Sequence, residues 1–258
     1  MNKVNCHDVA ILVPIYKPKL STEDLLGLCR SLRALKNRPV TFIHPKNLDL
    51  TFYRSLSDNV IFQEYDEAWF SSIANYNRLL LSPEFYKSYQ SFEFVLILQT
   101  DAVVLRDDLQ QWLEAAFDYV GAPWPNGYEL FINLDRYSGS NGKVVKAHIG
   151  NGGLSLRRVR ACLDLMAEFP QALDYFQKSG SSEDLFFAFM GQLSQTFVLP
   201  SETRASLFSL ELQPSKYFAM NGNIAPFGGH AWSKYESQFW APLLGIDLPS
   251  EAGPRSTQ

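Results

Sequence analysis

The stretch Phe94-Val95-Leu96-Ile97-Leu98-Gln99-Thr100-Asp101 decides the fold. Five apolar residues in succession need cover on both faces, which is the pattern of a central strand in a mostly parallel sheet and not of a sandwich's outer strand. The run stops at Gln99, Thr100 and Asp101. In open α/β sheets ligands bind in the crevice beyond the carboxyl ends of the strands, so a carboxylate there is pointed at whatever the protein binds. Asp101 is the first candidate for chemistry. An Asp that opens a turn or caps the next short helix has the same local signature.

Upstream, Val9 to Val13 reads as a first buried strand, closed by Pro14 in a proline-stiffened exit, Pro14-Ile15-Tyr16-Lys17-Pro18. Ser21 or Thr22 can cap a helix with acids in its first turn, and Leu25, Leu28, Leu32 and Leu35 carry that helix to about Asn37. Val40 to Ile43 is a second strand, ending at His44-Pro45, and Asn59 to Phe62 a third. A helix over about Ala68 to Leu81 leads into the Phe94 strand. The order is Rossmann-like: an α/β fold with a mixed sheet flanked by helices, in a single domain over residues 1–248. The first strand is not followed by GxGxxG, so the phosphate-binding turn of NAD and FAD enzymes is missing.

Downstream, Leu109 to Phe117 reads as helical, Tyr119 to Gly127 as turn-rich, and Ser138 to Gly142 as an exposed loop. Val144 to Leu156 carries Gly150-Asn151-Gly152-Gly153. The spacing predicts a helix over Arg157 to Phe169, with further helical pieces at Asp174 to Lys178 and Leu185 to Met190. The tail after Pro249 reads as disordered.

Composition narrows the function classes. The chain has 258 residues, enough to bury roughly 70 to 75% of its unfolded surface. Its net charge of -4, from 23 basic and 27 acidic side chains, includes no basic block that would track a phosphate backbone, so nucleic acid is not an expected partner. Met1 to Asp8 is polar and no apolar run approaches the roughly 18 residues of a membrane helix. A cytoplasmic protein is expected, with peripheral contact at the inner membrane face left open. Cys6, Cys29 and Cys162, with no CxxC, indicate neither a disulfide framework nor a zinc site.

Three further constellations stand out. The glycines of Gly150-Asn151-Gly152-Gly153 mark either a tight bend or a close approach to a ligand. Ser181-Ser182-Glu183-Asp184 puts two carboxylates in the first turn of a helix, which is also ordinary capping chemistry. Gly228-Gly229-His230 sets a histidine beside a turn, as a ligand or as a hydrogen-bonded structural residue.

Taken in order, a buried strand ending in Asp101, a glycine loop, an acidic pair and a late histidine resemble the four hallmark motifs of GT-A-fold glycosyltransferases. The resemblance covers roughly residues 9 to 240, and extends more narrowly to a bacterial group associated with surface-polysaccharide synthesis. It implies a nucleotide-sugar donor, a UDP-sugar first of all, and a glycan or lipid-linked acceptor. Asp101 would stand for the metal-binding aspartate of the DxD motif and His230 for the histidine that joins the metal, Mn²⁺ or Mg²⁺. Gly152 and Gly153 would stand for the loop beside donor and acceptor. Asp184 would be the acid of the xED motif and base of an inverting reaction, with Glu183 its alternate or a ligand of sugar hydroxyls; in a retaining reaction Asp184 would only orient substrate.

The resemblance also draws in Pro14, Ile15 and Tyr16 against the base or ribose, and Asn75 and Arg78, three apart on one helix face, toward the donor. Trp124, between Pro123 and Pro125, is a rigid aromatic for a sugar face or a packed loop residue. The departure lies in the first motif, where Gln99-Thr100-Asp101 offers one carboxylate in place of two; one Asp, one His and a diphosphate could still hold Mn²⁺ or Mg²⁺, and an Arg or Lys is the alternative cation. A non-catalytic glycan- or nucleotide-binding relative and a sugar nucleotidyltransferase are the other classes. Against the latter, no Lys/Arg-bearing phosphate loop follows the first strand.

Overall fold

A computed structural model describes residues 9–246. The polar Met1 to Asp8 segment, Cys6 and the tail after Pro249 lie outside them. The chain opens with β1 (Val9–Pro14), α1 (Thr22–Ala34), β2 (Val40–Pro45), α2 (Thr51–Arg54) and β3 (Val60–Tyr65). α3 (Ile73–Leu80), α4 (Pro83–Ser88), β4 (Phe94–Leu98), β5 (Ala102–Val104), α5 (Leu109–Leu113) and β6 (Tyr119–Val120) follow. Next come β7 (Pro123–Ile132), β8 (Lys143–Ile149), β9 (Leu154–Arg158), α6 (Val159–Glu168), α7 (Pro170–Ser179) and α8 (Glu183–Leu193). The described chain closes with α9 (Glu202–Phe208), β10 (Ser209–Leu210), α10 (Pro214–Met220), β11 (Gly228–His230) and α11 (Ser237–Leu244).

The main sheet runs β3-β2-β1-β4-β9-β6, with β1 to β4 parallel and β9 antiparallel to β4 and β6. β4 is central and every residue in it is buried, as the five-residue apolar run requires. The pleat sends Val95 and Ile97 into one core, with Ala10 and Leu12, and sends Phe94, Leu96 and Leu98 into the other, with Val9, Ile11 and Val13. Each such side chain contributes about 1.5–3 kcal/mol by leaving water. Between β1 and β4 the strand order reverses, so their carboxyl ends flank the crevice where open α/β sheets take ligands.

Local chemistry explains most of the edges. Ser21 caps α1 by accepting from the Asp24 N–H at 3.1 Å. The helix expected over 68–81 is broken in two, because Ser72 accepts from the Asn75 N–H and starts α3 afresh after a 3₁₀ turn at Glu67–Phe70. The helix expected from Arg157 starts two residues later, with Arg157 inside β9. The segment read as turn-rich holds β6 and the first half of a long ribbon, β7 with β8, whose register shifts between Pro123 and Tyr128. A bulge there accommodates Pro125, Asn126 and Gly127, the residues that look like a turn in sequence.

Candidate functional site

A small sheet, β10-β11-β5, assembles the first part of the site. Gln99 accepts the Ala102 N–H at 2.9 Å, so Asp101 sits in a tight turn between β4 and β5. β5 pairs antiparallel with β11 in a register that sets His230 opposite Ala102, and β10 pairs with β11 so that Leu210 lies opposite Gly229. That register carries Glu211, just past β10, to the far side of the histidine. His230 Nε2 lies 3.1 Å from Asp101 Oδ1, and Nδ1 lies 2.9 Å from Glu211 Oε2. Lys234 Nζ donates to Asp101 Oδ2 at 2.7 Å. The result is a chain of alternating charge: Glu211, His230, Asp101, Lys234.

Burial disfavours the imidazolium, yet hydrogen bonds to Asp101 and Glu211 and their charges outweigh it and lift His230 to about 10. Asp101 is likewise penalised by burial, but His230 and then Lys234 hold it well below the usual carboxylate range. The hydrogen bond to Asp101 raises Lys234. In its protonated form both ring nitrogens of His230 donate, and neither then has a lone pair for a cation.

The glycine loop is stitched to the same strand end, with the Gln99 N–H donating to Gly153 O at 2.8 Å. Its glycines are steric necessities. A Cβ on Gly153 would lie 2.2 Å from His230 Nε2, and one on Gly152 would lie 2.3 Å from Glu183 Oε1 and 2.8 Å from Arg157 Nη2. Three motifs separated by up to 80 residues are thus in contact, and Asn151 enters the loop at φ 43°.

Glu183 and Asp184 open α8, where Ser182 makes no side-chain cap. Their fates differ. Glu183 Oε1 accepts from Arg157 Nη2 at 2.7 Å with both side chains buried. Arg157 also donates to Tyr86 Oη at 3.1 Å and Ser155 Oγ at 3.0 Å, its guanidinium 5.4 Å and 5.3 Å from the Tyr119 and Phe187 ring centres. Asp184 Oδ2 accepts the Gly152 N–H at 3.2 Å, while its buried Oδ1 has no partner. Burial, then the charge of Glu183, pushes Asp184 up to about 6 against the Gly152 N–H, Ser182 and Arg157. The hydroxyl of Tyr76, also buried and unpartnered, is raised by burial and then by Glu183.

Asp101, Gly152, Gly153, Asp184, Glu183 and His230 are therefore gathered into one place, and other expected site residues are not. Tyr16 is 53% exposed beside the crevice, with Lys17 Nζ 5.5 Å over its ring, but Ile15 is 1% exposed and Pro14 is buried. The charge of Asp101, second only to burial, raises Asp24 in the first turn of α1, which also feels Lys17 and Lys234. Asn75 and Arg78 bond to each other at 2.9 Å, and Arg78 Nε donates to Gln177 O at 2.7 Å, so they tie α3 to α7. Trp124 is 3% exposed, donates to Asn151 Oδ1 at 2.8 Å and packs on Gly150, so little of its ring is open to a sugar. It is a support of the glycine loop.

Sequence reading passed over Arg157, Glu211, Lys234 and Tyr76. Lys234 alone had a local signal, its place four residues after His230. Among the described residues no group of three or more His, Cys, Asp and Glu side chains is set to hold a metal ion. The expected pair, Asp101 with His230, is in contact, but His230 has both nitrogens committed and Lys234 covers the second oxygen of Asp101. These residues do not fit a resident Mn²⁺ or Mg²⁺.

Residues 59–230 match the family model described as protein of unknown function (DUF5672). The chain belongs to that family. No curated protein matches the sequence. Among solved structures, the galactosyltransferase LgtC in complex with donor and acceptor sugar analogs aligns at 14% identity and TM-score 0.51, over 94% of this chain and 98% of its own. The apo structure of the bifunctional glycosyltransferase WbbM aligns at 14% identity and TM-score 0.47, over 91% of this chain and 47% of its own. Apo mouse xyloside xylosyltransferase 1 aligns at 10% identity and TM-score 0.46, over 86% and 97%. The likeness to LgtC shows that this member of the DUF5672 family has the fold of GT-A glycosyltransferases. No helix among its described residues is long and apolar enough to cross a membrane.

Proposed function

We propose that the protein is a glycosyltransferase that moves a sugar from a nucleoside-diphosphate donor, a UDP-sugar first of all, to a glycan or lipid-linked acceptor in bacterial surface-polysaccharide synthesis. The observation that carries the reading is the convergence of Asp101, His230 and Lys234 with the Gly152–Gly153 loop and Asp184 at the carboxyl end of β4.

Transfer passes through an oxocarbenium-like state while negative charge grows on the departing diphosphate. The Lys234 ammonium, on a 62% exposed side chain, can turn from Asp101 to that diphosphate, with the His230 imidazolium behind it. Asp101 and Glu211 hold the imidazolium charged and oriented. Asp184, raised to about 6, is ionised at neutral pH and takes the proton of the acceptor hydroxyl at its unpartnered Oδ1. Glu183, spent on Arg157, positions its neighbour and is no alternate base.

The test is a thermal-shift panel of UDP, GDP, CMP and dTDP, each with Mn²⁺ or with EDTA. A nucleotide at a hundredfold its Kd stabilises the folded state by about 2.7 kcal/mol. One nucleotide is expected to raise the Tm equally with metal and with EDTA, and to lose its effect in Lys234→Ala. A shift seen only with Mn²⁺ returns the diphosphate to a metal. No shift with any nucleotide removes the transferase reading in favour of glycan binding.

A further inference from the structure

Next to Lys234 the surface opens into a cleft of about 440 Å³, lined by Pro125, Asn126, Leu212, Gln213, Lys234, Tyr235 and Glu236. The volume is that of a small-ligand site, about 300–1,000 Å³. Three chain segments build it: the bulged start of β7, the exit of β10 and the turn after β11. Each contributes one non-glycine residue with left-handed backbone, Asn126 at φ 68°, Gln213 at φ 52° and Glu236 at φ 46°. Gln and Glu gain nothing locally from that conformation, and strain of this kind gathers where a surface is shaped for a ligand.

Its chemistry narrows the ligand. The lining holds one ammonium, Lys234, and one carboxylate, Glu236, so it has no excess positive charge for a second phosphate group. Tyr235, 40% exposed, offers a flat aromatic surface. Asn126 and Gln213 bring amides and Glu236 a carboxylate, a mixture of donors and acceptors. The side chains of Asn126, Tyr235 and Glu236 have no hydrogen-bond partner among the described residues, whereas Gln213 Oε1 accepts from Lys216 Nζ at 3.2 Å. Apolar stacking with several uncommitted polar groups suits a neutral ring carrying many hydroxyls. No residue of β1 to β4 lines the cleft, so it is separate from the strand ends that face the donor, and Lys234 joins the two.

We infer that this cleft is the acceptor subsite and binds the terminal neutral sugar of a glycan acceptor, with Tyr235 stacked on the ring and Asn126, Gln213 and Glu236 reading its hydroxyls. The inference rests on the transferase reading above. A second cleft, about 650 Å³ and lined by Leu134, Pro170, Gln171, Asp174, Tyr175, Lys178 and Ser179, contains none of the residues gathered at Asp101 and serves as its control.

Saturation-transfer NMR with the methyl glycosides of glucose, galactose, mannose and N-acetylglucosamine tests it, run beside the nucleotide panel on the same samples. At least one glycoside is expected to receive saturation from the wild-type protein. That signal should fall at least tenfold in Tyr235→Ala and in Gln213→Ala, and stay in Tyr175→Ala, with the nucleotide-induced Tm shift kept in all three. The inference is overturned if no glycoside gives a signal, if the signal survives both cleft variants, or if Tyr175→Ala removes it. Sugar signals that behave as expected without any nucleotide shift keep the sugar site and discard the transferase; a nucleotide shift without sugar signals does the reverse.

Discussion

Asp184→Asn is expected to stabilise the protein at neutral and alkaline pH while abolishing transfer. The folded state holds this carboxyl at about 6 against a reference of 3.8, because it is buried next to Glu183. Below pH 3.8 the group is protonated in both states and costs nothing. Between there and about 6 the unfolded chain gives up its proton first, so stability falls as pH rises, and above about 6 the whole penalty is present. The shift corresponds to a ceiling of about 3 kcal/mol. Glu183 shares the titration, and the amide itself must still be buried, which leaves about 1–2 kcal/mol to be recovered. In a chain of this size that is a Tm gain of roughly 2–8 °C. The Gly152 N–H keeps an acceptor, since the amide oxygen replaces Oδ2. The assay is a pair of melts, wild type and variant, at pH 8 and pH 4. A variant that melts no higher than wild type at pH 8, or gains equally at both pH values, refutes the reasoning. In kinetics, kcat should fall by orders of magnitude with donor affinity kept, whereas weaker donor binding at unchanged kcat would reassign Asp184 to substrate holding.

The neighbouring acid should behave oppositely. Glu183→Gln leaves Arg157 charged and unpaired among aromatic rings, a loss of about 3–5 kcal/mol and roughly 10 °C in Tm; a change within 2 °C would show the pair is no support. Gly153→Ala drives a methyl to within 2.2 Å of His230 Nε2, a ring held on both sides, and should cost about 1–3 kcal/mol and shift the His230 NMR signals. Unchanged His230 resonances would place that ring elsewhere. His230, raised to about 10, stabilises the fold in full below pH 6.5 and loses that contribution as pH climbs through about 10. Glu211→Gln should move this alkaline limb to lower pH, read from the His230 titration by NMR, and an unmoved titration would remove Glu211 as its partner.

The parts of the site legible in sequence were those whose local environment demands a particular residue type. A five-residue apolar run has to be a doubly covered strand, and Asp101 follows directly on its carboxyl end. Glycines without an evident turn signalled a close approach, and Gly152 and Gly153 meet Glu183 and His230. Trp124, Asn75 and Arg78 misled because free and engaged side chains look identical in sequence. Only packing shows that the indole is closed in by Gly150 and the guanidinium spent on Gln177 O.

By itself, then, the sequence determined the buried central strand of a mixed sheet and the order of the four short motifs along the chain, because strand burial and glycine sterics are written in consecutive residues. The tertiary structure decided what those motifs do to one another. It is the pairing of β10, β11 and β5 that lines up Glu211, His230, Asp101 and Lys234. It is Arg157, buried from β9, that separates two adjacent acids into an ion-paired Glu183 and an Asp184 whose Oδ1 has no partner. Coulomb energy and desolvation depend on distances between residues far apart in the chain, and no local spacing encodes those distances.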